Sequence, residues 1–213
     1  ILYRIAYVLV FSNFLLHTGC MRILAIETSC DDTSIALVDV AIPSNLRTSQ
    51  DLRLEIKVLE NIVSSQADIH RHWGGVVPNL AKREHEKNLP LIFDKLVASG
   101  YTLKLDLVAV TVGPGLEPAL WAGIEFAKKV SKELKVPLVG ANHLEGHVYS
   151  NWLPQINQLT NHQSAQVIFP AIVLLVSGGH TMLLLMKDML HWKKIGETRD
   201  DAVGEAFDKV ARI

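Results

Sequence analysis

Two stretches of this chain share one plan: an apolar strand, a short polar turn and a second apolar strand. In the first, RILAIETSCDDTSIALVDV, runs of Ile, Leu, Ala and Val flank the turn Thr28 to Asp32. In the second, AIVLLVSGGHTMLLLM, similar runs flank Ser177, Gly178, Gly179 and His180. Apolar runs of this length, bounded by turn residues, read as strands, so each stretch is a hairpin. The repetition predicts two related domains, each opened by one hairpin, with the two polar turns facing each other across a cleft.

Strands and helices alternate between the hairpins. LEIKVLENIVSSQ reads as a strand, and PNLAKREHEKNLPLIFDKLVASG as a helix with Pro90 as a kink and Gly100 as a stop. LDLVAVTVGPG is a buried strand ending in a Gly-Pro-Gly turn. In EPALWAGIEFAKKVSKELKVP, the residues Ala119, Ala122, Gly123, Phe126, Ala127 and Val130 recur at helical spacing, and Pro137 ends the helix. PLVGANHL supplies a short strand. The alternation implies α/β layering with a mixed sheet in each domain. The first domain is expected over 21–140. The second, 141–213, holds only its hairpin and the helical DDAVGEAFDKVARI, which is marginal alone. The expectation is a fragment of a longer protein, inactive by itself, with the polar PQINQLTNHQSAQ as the linker between its halves.

With 49% hydrophobic residues in 213, the chain is not disordered. A net charge of -1 gives no overall bias towards nucleic acid or membrane, so RNA binding would need a local basic patch or a partner protein. Cys20 and Cys30 make no disulfide framework and fit a reducing compartment, which makes cytoplasm the default location. Residues 1–20 are apolar with Arg4 near the front, the composition of a signal peptide or short anchor. They lack an initial Met and are broken by Ser12 and Asn13, so Met21 is read as the true start and 1–20 as an upstream extension outside the fold.

Four groups of residues carry chemistry. His143 and His147 in NHLEGHVYSN are four positions apart, about 40° round a helix axis, and so face one point. They are a metal-ligand pair or capping and core histidines. Glu145, two positions on from His143, points to the other side of the helix, so this is not the zinc-protease pattern. Two ligands are also fewer than a catalytic site takes. Ser177, Gly178 and Gly179 leave backbone N–H groups open to a phosphate, or make an ordinary hairpin turn. GPGLEPAL before a helix reads as a plain turn rather than an anion site. Asp201, Glu205 and Asp208 fall at i, i+4 and i+7 and are expected on one helical face, either solvated and partly balanced by Arg199 and Lys209 or turned to a ribose hydroxyl or a metal. Asp31 and Asp32 can accept a proton or hold an amine, or bond their own backbone; Glu27, Thr28 and Ser29 are equally open.

In this order, ILAIETSCDDTSIALVD, GGVVPNLAKREH, VGPGLEPAL, NHLEGH, LLVSGGHT and GETRDDAVGEAFDK closely resemble the tRNA N6-adenosine threonylcarbamoyltransferase family, once called glycoproteases. The resemblance runs from Met21 to the last residue. It implies the actin-like ATPase fold, a duplicated α/β architecture with ligand bound between domains. It also implies transfer of a threonylcarbamoyl group from threonylcarbamoyl-AMP to N6 of the adenosine 3′ of the anticodon, in tRNAs reading codons that begin with A. By motif, His143 and His147 are metal ligands for one divalent ion, iron more than zinc, and Leu175, Val176, Ser177, Gly178, Gly179 and Asp208 bind substrate. The third family ligand, an Asp, lies in a motif beyond Ile213. Asp31 is the candidate general base. Asp31 and Asp32 stand where many bacterial members have Asp followed by Glu, so the second carboxylate reaches one methylene less. The implied partners are tRNA, threonylcarbamoyl-AMP, a non-catalytic paralogue and a small ATPase subunit, with no membrane. The competing classes are the non-catalytic paralogue itself, which typically lacks the His pair, and an actin-like kinase or ATPase.

Overall fold

The computed structural model describes residues 19–42, 55–150, 168–188 and 191–211. The chain divides into two compact units: described residues up to 150 belong to the first, and those from 168 onward to the second.

The first unit is built on a mixed five-stranded sheet. β1 (Gly19–Glu27), β2 (Asp32–Ile42) and β3 (Glu55–Ser65) form an antiparallel meander, and β4 (Leu107–Gly113) and β5 (Leu138–Asn142) extend the sheet in parallel with β1, in the order β3-β2-β1-β4-β5. This is the unit expected of the actin-like fold. β1 is apolar throughout its centre because it is buried on both faces. Ile23 and Ala25 join Val38, Val40 and Leu107 on one side, while Leu24 and Ile26 join Ile35, Leu37 and Val108 on the other. With side chains packed into a core on both faces, the strand has no solvent face to make polar.

Helix α1 (Ala67–Arg71) is one turn. α2 (Pro78–Ala98) and α3 (Glu117–Leu134) cover the Leu24 face of the sheet. In α2, Ala81, His85, Leu89, Ile92 and Leu96 recur at helical spacing and are buried. Pro90 lies inside α2 without ending it, and Gly100, at a φ of 84°, follows its last turn. Phe93 of α2 meets Phe126 of α3 edge to face, with ring centroids 5.8 Å apart. The left-handed Lys135 caps α3, and β5 leads into the short α4 (His143–Tyr149).

In the second unit, β6 (Ala171–Val176), β7 (Thr181–Met186) and β8 (Trp192–Glu197) form an antiparallel meander followed by α5 (Val203–Val210), repeating the plan of β1 to β3. Two sequence readings are corrected here. The second half holds β8 in addition to its hairpin. The strand escapes notice because it is at the sheet edge and almost wholly exposed, so its Lys193, Lys194 and Gly196 carry no alternation to read. Asp201 does not share a helical face with Glu205 and Asp208, because α5 starts only at Val203. The acidic group is nonetheless partly balanced: Lys209 Nζ pairs with both Asp201 and Glu205.

Residues 1–18 of the expected extension and the polar linker lie outside the described residues. Gly19 and Cys20, however, already pair with Ile42 and Ala41 in the sheet. Among the described residues no helix is long and apolar enough to cross a membrane.

Candidate active site

Because β1, β4 and β5 are parallel, their carboxyl ends lie side by side, which is where open α/β sheets hold ligands. β1 ends at Glu27 and continues into Thr28 and Ser29. β4 carries Thr111 near its end and runs into Gly113, Pro114 and Gly115. β5 ends at Asn142, whose side chain caps α4 by accepting from the N–H groups of Leu144 at 2.9 Å and Glu145 at 3.2 Å. That cap starts the helix at His143, and so places His143 and His147 on its first and second turns.

The two imidazoles converge as the spacing predicts. Their Nε2 atoms are 3.1 Å apart and their rings meet edge on. On the other side of the His143 ring, Nδ1 is 2.8 Å from Ser29 Oγ and 3.5 Å from Glu27 Oε1. Glu27 is buried at 5% exposure. Its Oε1 accepts the Ser29 N–H at 2.6 Å, and its Oε2 accepts the Thr111 hydroxyl. Burial pushes the Glu27 carboxyl up, but the hydrogen bonding and electrostatic attraction of the His143 ring, with the bonds from Ser29 and Thr111, outweigh it and hold the group below its ordinary range. Glu145 is also buried on α4.

The turn bearing Asp31 is held from several sides. Thr28 Oγ1 donates to the Ala119 carbonyl at 2.9 Å, and the Leu116 N–H donates to the Ser29 carbonyl at 2.8 Å. Thus the Gly-Pro-Gly turn is structural: a Cβ on Gly115 would stand 2.5 Å from the Ser29 carbonyl oxygen, which only glycine permits. His85 Nε2 lies 3.0 Å from the Cys30 carbonyl, and the Gln66 N–H donates to the Asp31 carbonyl at 2.9 Å. His85 Nδ1 meets Thr33 Oγ1 at 2.8 Å and Gln66 Nε2 at 3.2 Å, and both His85 and Gln66 are fully buried. Asp31 is half-buried and Asp32 exposed. Local desolvation, together with the hydrogen bond and charge of Asp31, pushes the Cys30 thiol up to about 12, which favours its protonated form at neutral pH although the side chain reaches the surface.

Sequence reasoning named His143, His147 and Asp31. It left Glu27 and Ser29 open and missed Thr111, His85 and Gln66. The available signal was Glu27 itself, an acid directly after the apolar run Ile23 to Ile26 of its strand.

In the second unit, Leu175 is buried in β6 while Val176 is exposed. The Ser177 N–H donates to the His180 carbonyl at 2.8 Å and closes the turn, leaving Gly178 and Gly179 exposed at its tip with their N–H groups unpartnered among the described residues. α5 is seated on this turn: the Gly204 N–H donates to the Ser177 carbonyl at 3.3 Å, and a Cβ on Gly204 would stand 2.8 Å from Gly178 Cα. Asp208 lies four residues on, hence on the same face of α5, and is exposed.

The model of the tRNA N6-adenosine threonylcarbamoyltransferase family matches residues 57–213. The chain belongs to this family. A relative of that name from Thermosipho africanus is 45% identical over 197 residues, covering 91% of this chain and 52% of the relative. Another, from Carboxydothermus hydrogenoformans, is 44% identical over 191 residues, covering 90% of this chain and 50% of its own length. The chain therefore spans about half the length of the curated relatives it matches. Among solved structures, YeaZ from Pseudomonas aeruginosa aligns with a TM-score of 0.43 at 17% identity, covering 84% of this chain and 66% of that one.

Proposed function

We propose that the whole protein transfers the threonylcarbamoyl group of threonylcarbamoyl-AMP to N6 of the adenosine 3′ of the anticodon in tRNAs reading codons that begin with A. Family membership supports the reaction. The observation that carries it to this chain is the convergence of the His143 and His147 Nε2 atoms at 3.1 Å beside the Asp31 turn.

The donor set fits a divalent metal ion. Two imidazole nitrogens bound to one ion at about 2.0–2.1 Å stand roughly 2.9–3.4 Å apart, and the His pair falls within that span. His143 and His147 would hold the ion, and imidazole suits both iron and zinc. When bound it would neutralise phosphate charge and polarise the group being transferred. The Gly178 and Gly179 N–H groups would hold the adenylate phosphate, with Asp208 as the further substrate contact implied by the family motif. The N6 amine is a poor nucleophile because its lone pair is delocalised into the purine. As N6 attacks the carbonyl carbon, the Asp31 carboxylate takes its proton, the bond from that carbon to the phosphate oxygen breaks, and AMP leaves. The rigid seating of the Asp31 turn by Gln66 and His85 suits that task. Two free cysteines, Cys20 and Cys30, accord with a cytoplasmic setting.

The test is threonylcarbamoyl transfer to unmodified tRNA by the full-length protein with the partner subunits implied by the family. Asp31→Asn should lower the rate about 10²- to 10⁴-fold with adenylate binding retained. An unchanged rate would remove Asp31 as the base. His143→Ala and His147→Ala should each lose bound iron or zinc, and full metal content in both would remove the ion site. A non-catalytic paralogue would show no transfer under any of these conditions.

A further inference from the structure

Glu27 stands where an apolar residue would be the simpler choice. It ends a strand whose Ile23, Leu24, Ala25 and Ile26 are all at most 1% exposed, and it is itself buried. An ionised carboxylate out of water costs several kcal/mol unless charge and hydrogen bonds compensate it. Both of its oxygens are occupied by neutral donors, the Ser29 N–H and the Thr111 hydroxyl, which lock its orientation. The remaining compensation comes from the His143 ring. Nδ1 faces Ser29 Oγ at 2.8 Å with the Glu27 carboxylate behind it at 3.5 Å.

Resting on the reading that the His pair holds a metal, we propose that Glu27 and Ser29 are positioning residues for it. They keep the His143 proton on Nδ1, so that the Nε2 lone pair is presented to the ion beside His147. A negative carboxylate and a hydroxyl oxygen on one side of an imidazole favour the N–H on that side. The opposite nitrogen is then the only one free to ligate. Histidine ligands are commonly oriented by such a carboxylate or hydroxyl on their far nitrogen, and removing it costs 10- to 100-fold in metal affinity. Glu27 cannot be a ligand in its own right here, because it lies on the Nδ1 side of the ring whereas His147 lies on the Nε2 side. Thr111 serves the same arrangement one step back, holding Glu27 in place across the β1–β4 pair.

The test uses the full-length protein and has two arms. In the first, ¹⁵N-detected imidazole resonances of the metal-free wild type report which nitrogen of His143 carries the proton. A protonated Nδ1 is expected, and a protonated Nε2 with bare Nδ1 overturns the proposal whatever the variants do. In the second, zinc(II) affinity is measured by chelator competition, without any assay of transfer, at a temperature where circular dichroism shows each variant folded. Glu27→Gln, which keeps shape and removes charge, and Ser29→Ala should each weaken zinc binding 10- to 100-fold. Wild-type affinity in both folded variants means that Glu27 and Ser29 serve the fold alone and overturns the proposal, and if Glu27→Gln fails to fold, Ser29→Ala and the resonance pattern decide. His143→Ala and His147→Ala run alongside. If these two also keep wild-type affinity the metal reading itself has failed, whereas loss in these two with no change in Glu27→Gln and Ser29→Ala overturns the positioning role alone.

Discussion

Gly123 lies inside α3, where alanine is ordinarily the better residue by roughly 0.8–1.0 kcal/mol. Propensity alone therefore says that Gly123→Ala should stabilise the protein. The structure says the reverse. A Cβ at this position would collide with Thr28 Oγ1 and stand 3.2 Å from its Cγ2 and 3.3 Å from its Cβ. Turning the Thr28 side chain out of the way breaks the buried bond from Oγ1 to the Ala119 carbonyl and forces a β-branched side chain from its packed rotamer. Overpacking of this kind costs about 1–3 kcal/mol, and the lost hydrogen bond about 0.5–1.5 kcal/mol more. After the propensity gain is subtracted, the net loss is about 2 kcal/mol, or about 4–8 °C in melting temperature for a domain of this size. The assay is thermal and urea unfolding of Gly123→Ala, Thr28→Ala and the pair. With Thr28 cut back to Ala, the Gly123→Ala change should cost at least about 1 kcal/mol less than in the wild type, a coupling in the range expected of touching residues. Stabilisation by Gly123→Ala, or strict additivity in the double variant, would refute the close approach of α3 to the β1–β2 turn.

Burial lowers the pKa of His85 from its ordinary 6.5, against the raising influence of the Cys30 carbonyl and of Glu27, Asp31 and Asp32. Below pH 6.5 the unfolded chain then binds a proton that the folded chain resists, so this group's contribution is full above pH 6.5 and falls as pH drops towards the folded value. His85→Gln should show a shallower loss of stability on acidification from pH 6.5, measured by urea unfolding, and an unchanged slope would contradict it. Gly204→Ala would drive a Cβ to 2.8 Å from both Gly178 Cα and the Ser177 carbonyl oxygen, which as backbone cannot swing aside. Calorimetric titration of the full-length protein with AMP should show roughly tenfold weaker binding or worse, and unchanged binding would remove this turn from the adenylate site. With a net charge of -1, this chain without partner subunits should bind tRNA weakly and in a salt-sensitive way, so tight binding insensitive to salt in a filter assay would count against the proposed reliance on partners.

Much of the fold is legible along the chain because its signals are local. Long apolar runs mark β1, β2, β4, β6 and β7, helical spacing marks α2 and α3, and turn residues divide them. His143 and His147 can be paired by counting, since four residues is one helical turn and the meeting of their Nε2 atoms follows from that. β8 escapes such reading because an exposed edge strand has little apolar surface to pattern. Asp201 falls off its expected face because the start of a helix depends on which backbone groups find partners: Thr198 Oγ1 donates to the Asp201 carbonyl, and the Val203 N–H to Thr181 Oγ1. The setting of the His pair is hidden from the chain for a deeper reason. Ser29 and His143 are 114 positions apart, and Glu27 and Thr111 are 84 apart. Nothing in either neighbourhood encodes the other. Only the parallel register of β1, β4 and β5 brings their ends together, and only burial there makes a strand-end glutamate costly enough to require the partners it has.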